Sequence, residues 1–336
     1  MGIGLKYQGS FQTIGIKYPS ENPLSELWSR IDQLGSSAFL HNSIRKLTSD
    51  EEFEKLIEYS SLRIRQGVQF REASSGSRQL TSPLTLYYSY LNLTRAILAL
   101  KTSCIPSKGH GLKLVESNSL LQCAAKTGEG TFQEYLKTLG VDLQNNTTFS
   151  LQYVLSHIVE FTNDKAIDRM LVIPPCAISI YVDAEIDGPV LLRFPPALKE
   201  FRNDWSIEFP HLKGICSLAS EGNVLLVNQE FTNDNSYYEI SKFCSDHLLP
   251  SLTIQEIPTW YLLRNIDDKK VLPRTAYYFI ASFILGSLVR YQPESLQDAM
   301  DVNSEINWLI RRFISYSERF YPQLMLCWLY GKQIYF

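Results

Sequence analysis

The sequence predicts an α+β protein in which helices from both ends of the chain form one body, with a β-rich insertion in the middle. Two observations lead to this class. Apolar residues recur at helical spacing near both ends, whereas short β-rich runs separated by Pro-Pro, Asp-Gly and Glu-Gly turn signals fill the middle. We therefore predict a helical part at 1–168, a β-rich insertion at 169–265, and helices at 266–336 that pack back onto the first part.

The first elements after a short extended segment are predicted to be helices. Pro23–Leu34 forms one, because proline suits the first helical turn and the apolar side chains share a stripe. Ser49 or Asp50 can cap a second helix, which we expect to end near Gly67. A polar loop at 72–79 then precedes the strongest helical pattern, at 84–101.

The rest of the chain alternates in type. After a loop at 102–111, helices or turns are predicted at 117–126, 131–139 and 148–161. Short β-rich runs follow at 171–173, 177–182, 190–194, 214–218 and 224–227. Helical spacing returns at 276–290, 303–318 and 322–330, which is why the flanking parts are expected to form one body.

Composition limits the class of function. The chain has 336 residues, with 32 Lys and Arg against 35 Asp and Glu, so its formal net charge is −3. This balance argues against bulk DNA binding, which needs a basic face. The apolar stretches at 84–100 and 276–289 are too short or too polar to span a membrane, and the N-terminus lacks the pattern of a signal peptide. We therefore expect a soluble, cytoplasmic protein that does not associate with membranes.

Signatures of cofactor and metal chemistry are missing from the sequence. The six cysteines lie at least 19 positions apart, so they form neither a CxxC pair nor an obvious disulfide framework. The sequence contains no dinucleotide, triphosphate, kinase, hydrolase-elbow or zinc-protease motif. We therefore expect no metal site and no cofactor.

The helix at 84–101 carries the most informative polar residues. Tyr88, Asn92 and Arg95 are spaced i, i+4, i+7 and share one face of a helix that is otherwise apolar. Such a helix is predicted to be buried, and a buried Asn or Arg needs a partner. Arg95 therefore either pairs with a buried carboxylate or faces a cleft that holds a ligand phosphate.

Two further sites extend this set of residues. His110 follows Lys108 and lies between two glycines, which allow close approach of a ligand, and histidine can act as acid or base near neutral pH. A simple turn would explain the same pattern. Arg290 ends a stripe with Ser282 and Gly286 that equally suits close helix packing.

Three segments resemble the bacterial YaaC-like family: SPLTLYYSYLNLTRAILAL at 82–100, GHGLK at 109–113, and YYFIASFILGSLVRYQPE at 277–294. The family has a YY-x3-NL helix before an HGL turn, and an LGS-x2-RY-x-P helix near the C-terminus. The resemblance implies a fold more than an activity. The helix and HGL turn are also similar to helical HEPN-like domains, which often act on RNA in bacterial defence or toxin systems. The Arg-x4-6-His pattern of HEPN ribonucleases is absent here.

Three functions follow from these residues and resemblances, and whether the protein is an enzyme stays open. The first is a non-catalytic binding component of a bacterial anti-phage or stress system that recognises RNA, a nucleotide or a protein partner. Its ligand-binding residues would be Tyr88, Asn92, Lys108 and Arg290. The second is a metal-independent ribonuclease in which His110 and Arg95 are catalytic. The third is an obligate subunit of a protein complex or homo-oligomer.

Overall fold

The structure, a computed structural model, describes residues 6–8, 15–44, 50–75, 80–163, 177–185, 190–194, 205–219, 224–229, 236–253, 259–264, 271–300 and 305–336. Its helices are α1 (Pro23–Leu34), α2 (Ser37–Ser43), α3 (Asp50–Ser75), α4 (Ser82–Thr102), α5 (Thr131–Thr138), α6 (Leu151–Ser156), α7 (Trp205–Glu208), α8 (Ser236–His247), α9 (Arg274–Tyr291), α10 (Pro293–Ala299) and α11 (Glu305–Tyr330). Its strands are β1 (Lys6–Gln8), β2 (Ile16–Lys17), β3 (Leu112–Val115), β4 (Ala124–Thr127), β5 (Thr148–Ser150), β6 (Ala177–Glu185), β7 (Val190–Arg193), β8 (Cys216–Leu218), β9 (Val224–Val227), β10 (Leu249–Pro250), β11 (Trp260–Leu263) and β12 (Ile334–Tyr335).

Helices from both ends of the chain share one hydrophobic core. α4 and α9 are buried along most of their length and pack against each other, while α3 and α11 also pack on α4. A Cβ atom on Gly286 of α9 would lie 3.1 Å from the Cβ of Tyr87, so glycine lets the two helices approach closely here. The predicted α+β class with a helical body is confirmed. No described helix is both long and apolar enough to cross a membrane.

The last helix, α11, continues through Pro322, where we predicted two separate helices. Proline has no N–H to donate to the carbonyl four residues earlier, which belongs to Glu318. The indole N–H of Trp28 in α1 donates to that carbonyl oxygen at 3.1 Å. The prediction of two helices was therefore wrong, because a tertiary contact supplies the donor that proline lacks. The predicted start at residue 303 lies outside the described residues.

α3 ends at Ser75, eight residues beyond the predicted end at Gly67. The hydroxyl of Ser89 donates to the Gly67 carbonyl at 2.7 Å, and a Cβ on Gly67 would lie 3.2 Å from the side chain of Leu93. Glycine here permits close contact with α4 and does not end the helix, so that prediction was wrong. The predicted loop at 72–79 is helical as far as Ser75. Its remainder, and the predicted capping residue Ser49, lie outside the described residues.

A small antiparallel sheet of β3, β4 and β5 was not predicted. The helix or turn predicted at 117–126 is a 3-10 turn, Leu120–Gln122, followed by β4. The helix predicted at 148–161 begins as β5, continues as α6 and ends in a second 3-10 turn. β3 (LKLV) and β4 (AAKT) each contain only one β-branched residue and no aromatic one, so the sequence pattern did not reveal this sheet.

The β-rich segment is organised around β6. Along this strand β11 pairs with 177–180, β7 with 181–184, and β1 from the N-terminal region with 183–185. β9 and β8 follow β7, and all the pairings are antiparallel. α8, which was not predicted, contributes Phe243 and Cys244 to a separate hydrophobic cluster with these strands. The run predicted at 171–173 and both predicted boundaries, 168/169 and 265/266, lie outside the described residues, so the three-part division stays a prediction.

A buried ion pair within the helical body is hydrogen-bonded to the β-rich segment. Arg274, at the start of α9, donates to the carboxylate of Glu160 and, at 2.9 Å, to the carbonyl of Pro250 in β10. The hydroxyl of Tyr278 donates to the other carboxylate oxygen of Glu160. Both charged side chains are more than nine-tenths buried. Their burial is tolerated because the charges are paired and hydrogen-bonded.

Candidate functional site

A pocket of about 400 Å³ opens between α4, α9 and the strand β3 with the turn before it. Its wall consists of Leu84, Tyr87, Tyr88 and Leu91 from α4, Phe283, Gly286, Ser287, Arg290 and Tyr291 from α9, and His110, Leu112, Lys113, Leu114 and Glu116. Apolar and aromatic side chains make up most of this wall. Its four ionisable groups other than tyrosine are all exposed. Concave, mainly apolar pockets with a few polar groups are the usual form of a small-molecule site.

Two glycine turns packed against each other position His110. The N–H of Gly128 donates to the carbonyl of Gly111 at 2.9 Å. Gly111 and Gly130 have φ angles of 82° and 144°, which favour glycine. A Cβ on Gly130 would lie 2.6 Å from the nitrogen of Gly111 and 2.8 Å from the oxygen of Gly109. Sequence analysis missed this second turn, although its Gly-x-Gly pattern at 128–130 was a usable signal.

The backbone determines which nitrogen of His110 carries the proton. The N–H of Leu112 donates to Nδ1 of His110 at 3.2 Å, so Nδ1 is an acceptor. The neutral ring therefore carries its proton on Nε2. Partial burial, together with the nearby Arg95 guanidinium, lowers the pKa of His110. At neutral pH this side chain is a neutral Nε2–H donor on the pocket wall.

Arg95 binds the turn that carries His110 and does not line the pocket. Its Nε donates to the hydroxyl of Thr131 at 3.1 Å, and a terminal nitrogen donates to the carbonyl of Lys108. Partial burial lowers the pKa of Arg95. Among the described residues it pairs with no carboxylate, so neither arrangement predicted for it is seen. We call the turn that carries His110 the histidine turn, and Arg95 supports it through these two hydrogen bonds.

The pocket brings together three of the predicted site residues: Tyr88, His110 and Arg290. The guanidinium of Arg290 donates to the hydroxyl of Tyr88 at 3.4 Å and lies 5.1 Å from the ring centroid of Tyr291. Gly286 lies on the predicted stripe of Ser282, Gly286 and Arg290, and it allows close packing of α9 on α4, which was one of the two interpretations of that stripe. The exposed Arg290 extends that stripe into the pocket.

Two predicted ligand-binding residues, Asn92 and Lys108, do not line the pocket. Asn92 is buried, and its amide donates to the carbonyl of Tyr88 at 2.8 Å. Its side-chain oxygen accepts from Arg63 of α3 at 3.1 Å. Lys108 is exposed at the histidine turn, where its carbonyl is the acceptor for Arg95. Of the six predicted site residues, Tyr88, His110 and Arg290 therefore line the cavity, whereas Asn92, Arg95 and Lys108 do not.

Sequence analysis missed four functional candidates on the wall: Tyr87, Lys113, Glu116 and Tyr291. Tyr87 is 5% exposed, and its hydroxyl has no hydrogen-bond partner among the described residues. Burial raises the pKa of Tyr87, so the hydroxyl stays protonated. An unpaired buried hydroxyl costs about 1–3 kcal/mol, which a polar ligand atom could recover. The described residues contain no group of three or more His, Cys, Asp or Glu placed to hold a metal ion.

Comparison with known proteins gives one match. A family model described as YaaC-like Protein matches residues 32–329. No curated protein and no solved structure matches significantly. The three segments 82–100, 109–113 and 277–294 supply every residue of the pocket wall except Leu114 and Glu116. The similarity to HEPN-like domains stays a prediction.

Proposed function

This chain belongs to the YaaC-like family, and we propose that it is a non-catalytic binding component that holds a nucleotide in the pocket between α4, α9 and β3. One observation carries this proposal. The segments that resemble the family motifs, 82–100 and 109–113 together with the distant 277–294, meet around one pocket. Helix packing alone does not require exposed His110, Lys113 and Arg290 beside an open cavity.

The pocket chemistry suits an anion attached to an aromatic ring. Arg290 and Lys113 offer two positive charges, and the guanidinium geometry matches a phosphate group. Among the described residues Arg290 pairs with no carboxylate, so its charge remains available to a ligand. The rings of Tyr87, Tyr88, Phe283 and Tyr291 provide surfaces on which a base can pack. The cavity falls within the range of roughly 300–1,000 Å³ that small-molecule sites occupy.

The positions of the cations favour binding over catalysis. A ribonuclease needs an acid, a base and a group that stabilises the phosphate at one place. Arg95, the predicted catalytic partner of His110, does not line the pocket, and two of its donors are already hydrogen-bonded at the histidine turn, so it is not placed to stabilise a phosphate beside His110 on the wall. RNA cleavage in the presence of EDTA that is lost in His110→Asn would support the ribonuclease alternative and contradict ours.

Titration calorimetry with uridine, adenosine and guanosine monophosphates tests the proposal. Loss of a charged hydrogen bond costs about 1.5–3 kcal/mol, so Arg290→Gln should weaken binding by roughly 10- to 150-fold. The control is Arg311→Gln, because Arg311 is also exposed, also bonds one neutral side chain, Asn307 at 2.9 Å, and does not line the pocket. Wild-type protein that binds none of the three nucleotides, or two variants that bind equally, would refute the proposal.

The cellular setting and the assembly state remain proposals. We propose that the protein acts in a bacterial defence or stress system. We also propose that it binds a protein partner or a second copy of itself. Several large apolar side chains are exposed, but they lie on different elements: Leu62 on α3, Ile105 in the loop after α4, Ile207 on α7 and Tyr330 on α11. A monomer in light scattering would argue against the obligate-subunit alternative.

A further inference from the structure

A row of positive charges continues from the pocket along one face of α4. Tyr88, Asn92 and Arg95 share this face, at axial levels about 6 Å and about 4.5 Å apart. Arg290 contacts the first of these residues, and Arg63 contacts the second. We call four cations the α4 cation row: Arg290, Arg63, Arg95 and the exposed Lys108, whose backbone carbonyl accepts from Arg95.

The α4 cation row has no carboxylate partners among the described residues. Arg63 donates to two neutral side chains, Asn92 and, at 3.2 Å, Gln66, while its Nε has no partner. The contacts of Arg95 are a hydroxyl and a carbonyl. The neighbouring acid, Glu134, accepts the backbone N–H of Ser107 at 3.2 Å. Like charges that no carboxylate pairs directly repel one another, and an extended anion would relieve that repulsion.

Aromatic rings lie between these cations. The guanidinium of Arg63 is 5.2 Å from the ring centroid of Tyr59. Tyr88 stacks on Phe70 of α3 with their centroids 5.4 Å apart. Tyr291, beside Arg290, is 61% exposed. Proteins that bind single strands combine a cationic path for the backbone with aromatic surfaces on which bases stack.

We propose that the pocket and the α4 cation row form one continuous site for a single-stranded nucleic acid. The pocket holds one nucleotide, so this inference rests on the proposed function. The phosphates that follow it lie along Arg63, Arg95 and Lys108. A net charge of −3 is compatible with such a site, because a single strand needs one narrow cationic path whereas a duplex needs a broad basic face.

The test compares fluorescein-labelled hexauridylate with uridine monophosphate. Fluorescence anisotropy over about 0.05–0.3 M KCl should show hexauridylate bound more tightly, with a slope of log K against log salt of about −3.5 for five cations, namely the four of the row and Lys113 of the pocket. Arg63→Gln should reduce that slope by about 0.7 and weaken hexauridylate binding about fivefold at 0.1 M KCl. Calorimetry should show that Arg63→Gln binds uridine monophosphate with the same affinity as the wild type.

The matched control is Arg65→Gln, since Arg65 is on the same helix but points to the other side, beside Gly35. This variant should bind both ligands as the wild type does. Lys108→Gln is a second test variant, because the described structure shows no side-chain contact of Lys108 that its loss would break. It should reduce the salt slope as Arg63→Gln does, with the melting temperature unchanged.

Four results would overturn the inference, each in a recognisable way. If hexauridylate binds no more tightly than the mononucleotide, or if the test variants behave like Arg65→Gln, the α4 cation row does not bind nucleic acid. The proposal of a nucleotide pocket would be unaffected. If neither ligand binds, both the proposed function and this inference are refuted. Hexaglutamate that competes as well as hexauridylate would identify a site for acidic peptides.

Discussion

The two packed glycine turns allow a prediction whose magnitude follows from geometry. Gly130 has φ 144° and ψ −167°, a conformation open almost only to glycine, and a Cβ there would lie 2.6 Å from the nitrogen of Gly111. Gly140 has φ 74° with open space around the Cβ position, and Gly128 has open space without a positive φ. The three glycines therefore separate steric overlap from backbone strain.

Alanine at these positions should lower the free energy of unfolding by different amounts. Strain alone costs about 1–2 kcal/mol, which we expect for Gly140→Ala. Gly130→Ala adds overlap with backbone atoms, typically about 1–3 kcal/mol, so its total loss should be about 2–5 kcal/mol. Gly128→Ala should be neutral or stabilising by up to about 1 kcal/mol, because alanine restricts the unfolded chain.

Urea denaturation followed by circular dichroism measures this series, and nucleotide titration measures its effect on the pocket. Because Gly130 supports the turn that carries His110, its alanine variant should also lose nucleotide affinity, while Gly140→Ala keeps it. A Gly130→Ala protein as stable as Gly140→Ala would refute the reasoning. It would mean that the histidine turn moves aside at little cost and is not held by the second turn.

Two further predictions concern buried and partly buried charge. Arg274→Met leaves Glu160 buried without its charged partner and should lower the free energy of unfolding, measured by urea denaturation, by about 3–5 kcal/mol. Arg264→Met removes one partner of the half-buried pair with Glu208 and should lower it by about 1 kcal/mol or less. Equal losses would contradict the importance of burial. Partial burial and Arg95 lower the pKa of His110, so below a pH of about 6.5 the unfolded chain binds the proton that the folded chain excludes. Thermal unfolding at about pH 8 and pH 5 should therefore show that the wild type loses more stability on acidification than His110→Asn does. Asparagine suits this comparison because its amide oxygen can replace the Nδ1 acceptor. Equal losses of stability in the two proteins would contradict the prediction.

Much of the helical body could be predicted because its signals are local. The Pro23–Leu34 helix has the predicted bounds, since the stripe, the proline and the Asn22 cap all act within one or two turns. The predictions at Gly67 and Pro322 failed for a shared reason. Each residue disfavours a helix in isolation, and a neighbouring helix compensates, through close packing at Gly67 and through the indole N–H of Trp28 at Pro322.

The candidate site was predictable as a set of residues but not as an arrangement. Helical spacing placed Tyr88, Asn92 and Arg95 on one face, and the glycines drew attention to His110. Nothing local indicated that Arg95 would bind the backbone of the histidine turn, or that Arg63 from α3 would join the same face. Both contacts depend on how neighbouring elements pack in three dimensions, which helical spacing within one element does not indicate.

The α+β class, the helical character of both ends and the segments that carry the family resemblance were all predictable from the amino-acid sequence. These follow from periodicity and short motifs, in which each residue interacts with near neighbours along the chain. Tertiary packing was needed to show that 82–100, 109–113 and 277–294 line one pocket, which cations face it, and which lie outside it. The reason is physical: a buried polar group takes whichever partner the packed core brings within hydrogen-bond distance, and that partner can come from anywhere in the chain.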